Sequence, residues 1–214
     1  MAGGMCASGH PLVGLVLAGG LSSRMGRNKL RIKIREPDGP DLLARTVELL
    51  ARYCCRVLVA CGAGPALPGY DCIQDCMHGI GPIAGLQAIL SVTDRAVLAL
   101  ACDLPFMDDA TVQKLAHEHA RRPDTAIMTT FRQAETGFIE ALTAIYEPAC
   151  LPFFDAAIAA GDFRINSAIP QALRQDIVYT AAEARPFFNI NSPADLEAAR
   201  RTTTEQAGFH PDIP

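Results

Sequence analysis

Short apolar segments alternate along this chain with segments in which apolar residues recur every three or four positions. Residues 12–18, 56–61 and 96–102 are the clearest apolar segments, and glycine or the Asp103-Leu104-Pro105 turn follows each of them. A short continuous apolar segment bounded by turn residues is typical of a strand buried on both faces. The sequence therefore predicts three central strands whose ends carry turn residues.

The segments between the strands have the spacing of amphipathic helices. We predict helices over residues 41–53, 83–92, 108–120, 151–160 and 193–201, and further strands over 126–130, 141–146 and 177–179. This alternation is typical of an α/β fold with a mostly parallel, Rossmann-like sheet flanked by helices. We expect a single domain over residues 12–201, a flexible N-terminal tail over 1–11 and a C-terminal tail over 202–214.

Composition and charge exclude several classes of function. The chain has 214 residues, of which 50% are hydrophobic, and a formal net charge of -4. An acidic chain is a poor candidate for broad binding to nucleic acid phosphates. The longest apolar run, residues 96–102, is too short to cross a membrane, and the first residues lack the pattern of a secretory signal. We therefore expect a cytoplasmic protein with no membrane or nucleic acid partner, and reduced thiols at its eight cysteines.

A glycine-rich loop follows the first predicted strand. Three glycines allow backbone N–H groups to approach a ligand closely, and three cations lie within six residues. These residues are Gly19, Gly20 and Gly26, and Arg24, Arg27 and Lys29. Such a loop suits a triphosphate, although the spacing excludes both a Walker-type loop and a dinucleotide fingerprint. An ordinary glycine turn beside a solvated basic patch is the alternative.

Four motifs, in this order, resemble the nucleotidyltransferases that act on the molybdenum cofactor, and most closely the guanylyltransferases among them. The first is Leu17-Ala18-Gly19-Gly20-x-Ser22-x-Arg24-Met25-Gly26-x-x-Lys29, and the others are residues 81–85, 102–106 and 187–196. The resemblance spans about residues 12 to 200. It implies transfer of GMP from GTP to the terminal phosphate of molybdopterin or its molybdenum form, with release of pyrophosphate.

The resemblance also implies the residues that hold the nucleotide. They are Leu17, Ala18, Gly19, Gly20, Gly26, Lys29, Asp75, Gly81, Pro82, Gly85 and Asp103. Lys29 and Arg24 are the candidates for stabilising the triphosphate and the leaving pyrophosphate. Asp103 ends a buried strand, and a carboxylate beside phosphates needs a hard cation, so we assign it to Mg²⁺. Its alternative role is a helix cap, for which Asp108 and Asp109 are better placed.

The acceptor substrate is assigned to two further segments. Asn189 and Asn191 bracket Ile190, so their side chains point the same way in an extended segment and could bind the acceptor or complete a metal shell. Ser192 and Pro193 are also typical of the start of a helix. By the resemblance, Arg164 could bind the pterin phosphate.

Three alternatives stay open. The chain could be a molybdenum cofactor cytidylyltransferase, another small-molecule nucleotidyltransferase, or a non-catalytic adaptor that binds nucleotide or cofactor. Transient contact with cofactor-handling proteins is also possible for a guanylyltransferase.

Cys72, Cys76 and His78 have metal-like spacing without a second ligand pair, so we expect no zinc site. His117 and His119 are expected at the surface of their helix.

Overall fold

The computed structural model describes residues 11–18, 29–34, 39–62, 65–74 and 79–208. Its centre is a seven-stranded sheet with the order β3-β2-β1-β4-β6-β5-β7. The strands are β1 (Leu12–Leu17), β2 (Cys54–Ala60), β3 (Cys72–Ile73), β4 (Val97–Ala101), β5 (Met128–Gln133), β6 (Ile139–Tyr146) and β7 (Arg174–Tyr179). Only β6 is antiparallel to its neighbours, so the other six strands of this sheet end at the same edge.

Helices cover both faces of this sheet. They are α1 (Leu42–Leu50), α2 (Pro82–Leu90), α3 (Asp109–Ala120), α4 (Leu151–Ala159), α5 (Ile165–Ala168) and α6 (Pro193–Gly208). Short 3₁₀ turns lie at Lys29–Arg31, Pro148–Cys150, Gln171–Leu173, Ala181–Glu183 and Arg185–Phe187. Of the described helices, none has the length and apolar character needed to cross a membrane.

Two apolar cores lie on the two faces of the sheet. Leu15 and Leu17 pack with α2, α4 and α5 on one face, while Leu12 and Val16 pack with α1 and α3 on the other. All six residues of β1 are buried, because successive side chains of a strand point to opposite faces and both faces are covered. A third, smaller core joins α6 to the sheet assembly through Ile190 and Ala199.

The predicted α/β fold with a mostly parallel sheet is confirmed. Asp41 and Asp108 cap α1 and α3 by accepting hydrogen bonds of 2.8 Å from the N–H groups of Ala44 and Thr111. The structure differs from the sequence prediction at three places. Helix α6 continues to Gly208, past the predicted end at residue 201. β3 and α5 were not predicted, because elements of two and four residues are too short to show a period.

Candidate active site

The described part of the glycine loop and the Asp103 turn begin at adjacent points on one edge of the sheet. Leu17 ends β1 and is the register partner of Ala101, which ends β4. The Cys102 N–H donates to the Leu17 carbonyl at 3.4 Å. In parallel sheets this carboxyl edge is where ligands bind. The topology therefore brings the first and third predicted motifs together.

Several predicted site residues lie outside the described residues: Gly19, Gly20, Arg24, Gly26 and Asp75. The backbone of Lys29 begins the 3₁₀ turn Lys29–Arg31, and its side chain also lies outside the description. Leu17 is buried and Ala18 half-buried, so the loop leaves the sheet from a packed position. The assignments of these loop residues to the nucleotide stay predictions.

The turn at Asp103 contacts the segment that carries the two predicted asparagines. Ile190 is completely buried, and its N–H donates to the Asp103 carbonyl at 3.0 Å. Asn189 and Asn191 on either side are exposed, as the alternation of an extended segment requires. The structure thus brings together residues that are almost ninety positions apart in the sequence. Asp103 itself is half-buried.

Ser192 and Asp195 fix the end of that segment. The Asp195 N–H donates to Ser192 Oγ at 3.3 Å, and Asp195 Oδ2 accepts from the Ser192 N–H at 2.8 Å. Pro193 is the first residue of α6. The predicted helix start is confirmed, and its hydrogen bonds fix the end of the asparagine segment.

Gly81 and Gly85 of the second motif are each required to be glycine for a different structural reason. Gly81 has a φ of 80°, a left-handed conformation that side chains disfavour, and it precedes Pro82 at the start of α2. Gly85 is buried where α2 crosses β2. A Cβ at Gly85 would lie 2.9 Å from Ala60 Cβ and 3.6 Å from Leu17 Cδ2. The first turn of α2 therefore lies beside the start of the glycine loop.

Arg164 lies at the start of α5 and is bound within its own loop. Its Nε and Nη2 donate to the two carboxylate oxygens of Asp162 at 2.8 and 2.9 Å. These hydrogen bonds hold the pKa of Asp162 well below its usual range. Among the described contacts, none joins Arg164 to the Asp103 turn. Its assignment to the pterin phosphate stays a prediction.

Sequence reasoning missed a cavity that opens along the same edge of the sheet. It has a volume of about 520 Å³. Its lining includes Phe106, Gln133, Glu140, Tyr179, Phe187 and Phe188. The Tyr179 hydroxyl donates to Glu140 Oε1 at 2.5 Å. Burial raises the pKa of Glu140, and the hydrogen bond from Tyr179 opposes that rise.

A second missed feature is the clamp on the loop after Asp103. Arg45 of α1 donates to the Pro105 carbonyl and, at 2.7 Å, to the Met107 carbonyl. Arg185 places its guanidinium carbon 4.8 Å from the centre of the Phe106 ring. The helical pattern indicates only that Arg45 is a polar residue of α1, because its partners are 60 positions away.

The histidine and cysteine expectations need two corrections. His119 is buried rather than at the surface, because Val112, Leu115 and His119 share the face of α3 that packs on the sheet. Cys55 is disulfide-bonded, contrary to the expected reduced state, whereas the other described cysteines form no disulfide. Cys61 and Cys72 place their sulfurs 2.9 Å apart. Cys76 and His78 lie outside the described residues.

Comparison with known proteins agrees with this geometry. The sequence model of the MobA-like NTP transferase domain matches residues 14–177. A Mycobacterium tuberculosis protein named a probable molybdenum cofactor guanylyltransferase is 30% identical over 195 residues, which cover 88% of this chain and 92% of that protein. A Synechocystis protein named a molybdenum cofactor biosynthesis bifunctional protein is 32% identical over 86% of this chain. The chain spans only 52% of that bifunctional relative.

A solved structure shares the fold. The molybdopterin-guanine dinucleotide biosynthesis protein A of Archaeoglobus fulgidus superposes with a TM-score of 0.69. The match covers 91% of this chain and 99% of that chain at 20% identity. At this identity the likeness shows the fold alone.

Proposed function

We propose, because the chain belongs to the family of MobA-like NTP transferase domains, that it transfers GMP from GTP to the terminal phosphate of molybdopterin or its molybdenum form. The match to a guanylyltransferase relative over 88% of the chain carries the proposal. The meeting of the glycine loop, the Asp103 turn and the asparagine segment at one edge of the sheet supports it.

The reaction is an in-line displacement at the α-phosphorus of GTP. An oxygen of the acceptor phosphate forms the new P–O bond, the bond to the β-phosphate breaks, and pyrophosphate leaves with its electron pair. Catalysis of such a step is mostly positioning and neutralisation of charge. We assign the neutralisation to Lys29 and Arg24, whose loop starts at the end of β1.

Asp103 fits a magnesium ion. Mg²⁺ takes one or two carboxylates and fills its remaining positions with water and substrate phosphates. Asp103 supplies a half-buried carboxylate at the edge where the phosphates would lie. The ion would be held jointly by Asp103 and the phosphates of the nucleotide. When bound, the ion offsets the negative charge of the triphosphate.

The two substrates are assigned to opposite sides of Asp103. On the β1 and β2 side, the first turn of α2 from Gly81 to Gly85 lies beside Leu17, which supports a guanine site between the two motifs. Asn189 and Asn191 flank the residue that bonds to the Asp103 carbonyl, which supports their assignment to the acceptor. An acceptor held there would lie within reach of a phosphate at Asp103.

The test is product identity. Purified protein is incubated with molybdopterin, Mg²⁺ and either GTP or CTP, and the products are separated and identified by mass. We expect the guanine dinucleotide and pyrophosphate from GTP. A cytosine dinucleotide formed preferentially from CTP would make the chain a cytidylyltransferase. GTP binding without pyrophosphate release would make it an adaptor.

Asp103→Asn is the matched variant for the metal assignment. Loss of the metal carboxylate should lower kcat at least about 100-fold, as removal of one charge-stabilising group does in other enzymes. The control is Asp94→Asn, an exposed residue that precedes the amino end of β4, and it should keep the wild-type rate. Equal rates for Asp103→Asn and wild type would overturn the assignment.

A further inference from the structure

The cavity lined by Glu140 and Tyr179 lies next to the proposed reaction site. Gln133 ends β5, Tyr179 ends β7, and Glu140 is the second residue of the antiparallel β6, so all three lie at the carboxyl edge of the parallel strands. Phe106 follows Asp103 by three positions, and Phe188 directly precedes Asn189. Their ring centres are 5.7 Å apart. Both rings line the cavity, so it lies beside the Asp103 turn and the asparagine segment.

Aromatic rings give the cavity flat apolar walls. The Phe187 ring centre is 4.5 Å from that of Tyr179, and Arg185 lies over the Phe106 ring. A volume of about 520 Å³ is within the ordinary range for pockets that bind small molecules. Such walls suit a planar ring, because stacking on aromatic faces needs no hydrogen bond.

Polar side chains also line the cavity, namely Gln133, Glu140, Tyr179, Arg185 and Thr202, and of these Gln133 and Glu140 form an ordered donor and acceptor. Gln133 Oε1 accepts from the Thr136 hydroxyl at 2.7 Å, which orients the amide and leaves its NH₂ group as a donor. Glu140 Oε1 already accepts from Tyr179, and Oε2 has no hydrogen-bond partner within the described residues. The side chain of Glu140 is therefore held in place by Tyr179 while it keeps acceptor capacity.

We infer that this cavity binds the 2-amino-4-oxopyrimidine ring system of the pterin acceptor, with Glu140 accepting from the ring N–H and 2-amino groups and Gln133 donating to the ring carbonyl. That edge of a pterin presents one acceptor followed by two donors, which is the complement of an amide NH₂ beside a carboxylate. The inference rests on the proposed function, since it takes the acceptor to be a pterin.

Guanine presents the same edge as a pterin, so position decides between them. The motif assigned to guanine lies on the β1 and β2 side of β4, beside Leu17. The cavity lies on the other side of β4, on strands β5, β6 and β7. Asp103 follows β4 and thus lies between the two. A dinucleotide product needs its guanine and pterin rings on opposite sides of the reacting phosphates. We therefore assign the cavity to the pterin acceptor.

The test measures the binding of pterin (2-amino-4-oxopteridine) to the protein in the absence of GTP. The fluorescence of pterin reports the binding. Lumazine (2,4-dioxopteridine) is the comparison probe, because it lacks the 2-amino group. We expect wild type to bind pterin about tenfold more tightly than lumazine, and Glu140→Gln to bind pterin about 10- to 100-fold more weakly without that preference. No pterin binding by wild type, or an unchanged preference in Glu140→Gln, would overturn the inference.

Two further variants separate recognition from a structural role of Glu140. A glutamine at 140 can still accept the Tyr179 hydroxyl, whereas Tyr179→Phe removes that bond and keeps the carboxylate. Recognition predicts the larger loss of pterin binding for Glu140→Gln, with a loss on the order of threefold for Tyr179→Phe. A structural role predicts the reverse order. Glu48→Gln, on the exposed face of α1, is the matched control and should bind as wild type does.

Kinetic measurements of the transferase reaction distinguish this inference from the proposed function. In the transferase reaction Glu140→Gln should raise KM for the pterin acceptor and leave KM for GTP within twofold. A rise in KM for GTP alone would place guanine in the cavity and overturn the inference. Glu140-dependent pterin binding by a protein that forms no dinucleotide would leave the inference standing and refute the proposed function.

Discussion

His119 shows how burial changes the charge state of a single polar ring. Its Nδ1 lies 3.2 Å from Thr129 Oγ1, and its Nε2 lies 3.1 Å from Glu147 Oε1. Burial, and secondarily the positive charge of Arg122, lowers the pKa of His119 to about 4. The ring is therefore neutral at neutral pH, and it joins α3 to β5 through a polar contact inside the core.

The shifted pKa predicts a pH dependence of stability. Between about pH 4 and 6.5 the unfolded chain binds a proton at His119 that the folded chain does not, so the free energy of unfolding falls as the pH is lowered. From pH 7.5 to pH 5 this loss should reach about 2 kcal/mol. Urea denaturation at the two pH values measures it. His119→Gln should remove this part of the pH dependence.

The exposed His117 on the same helix is the matched control. His117→Gln should retain the wild-type pH dependence. A dependence that persists unchanged in His119→Gln would show that other groups cause it.

At the scale of elements, the contact between α2 and β2 sets how closely a helix can approach the sheet beside the site. Gly85 faces Ala60, and the distance of 2.9 Å to an added Cβ is shorter than packed carbons adopt. Glycine in a helix interior costs about 1 kcal/mol relative to alanine. Its presence at 85 is therefore explained by close packing, whether or not it also contacts a nucleotide.

Gly85→Ala should lower the free energy of unfolding by about 1–3 kcal/mol, because overpacking outweighs the gain in helix propensity. Chemical denaturation measures the change. The double variant Gly85→Ala/Ala60→Gly removes the opposing Cβ, so the two substitutions should be less destabilising together than the sum of their separate effects. A Gly85→Ala protein as stable as wild type would contradict the packing explanation.

At the scale of the whole molecule, one antiparallel strand arranges the two halves of the site. β6 runs opposite to β4 and β5, so Glu140, near its start, lies at the edge where the parallel strands end. The chain then returns through residues 187–191 to contact Asp103. Loops from distant parts of the sequence thereby converge on one edge of a rigid sheet.

Ligand binding at that edge should stabilise the whole fold. GTP with Mg²⁺ at a concentration 100 times its Kd should add about 2.7 kcal/mol to the free energy of unfolding. For a chain of this size we expect Tm to rise by roughly 5–10 °C in a thermal melt. Lys29→Ala should lose most of the rise, because the lysine is proposed to bind the triphosphate.

Lys114→Ala on the exposed face of α3 is the control and should show the full rise. An equal rise in Lys29→Ala would refute the role of that lysine in nucleotide binding.

Local sequence determined the elements and much of their order. Apolar segments such as residues 12–18, helix caps such as Asp108 and the start of α6 at Pro193 were all predictable, because each depends on neighbouring residues. The parallel sheet followed from the alternation of strands and helices. The motifs also indicate the family, and they predict Asp103 and Asn189 as site residues.

Only the tertiary structure decided which distant groups meet. The bond between Ile190 and Asp103, the clamp of Arg45 on the following loop, and the pairing of Glu140 with Tyr179 each join residues at least 39 positions apart. No local period encodes such pairs, since they depend on strand order and on the reversed direction of β6. The burial of His119, by contrast, follows the local period of α3, because His119 shares a face of that helix with Val112 and Leu115. Sequence alone thus predicted residues for the nucleotide side of the proposed site, whereas the cavity on its other side became visible only when the sheet was assembled.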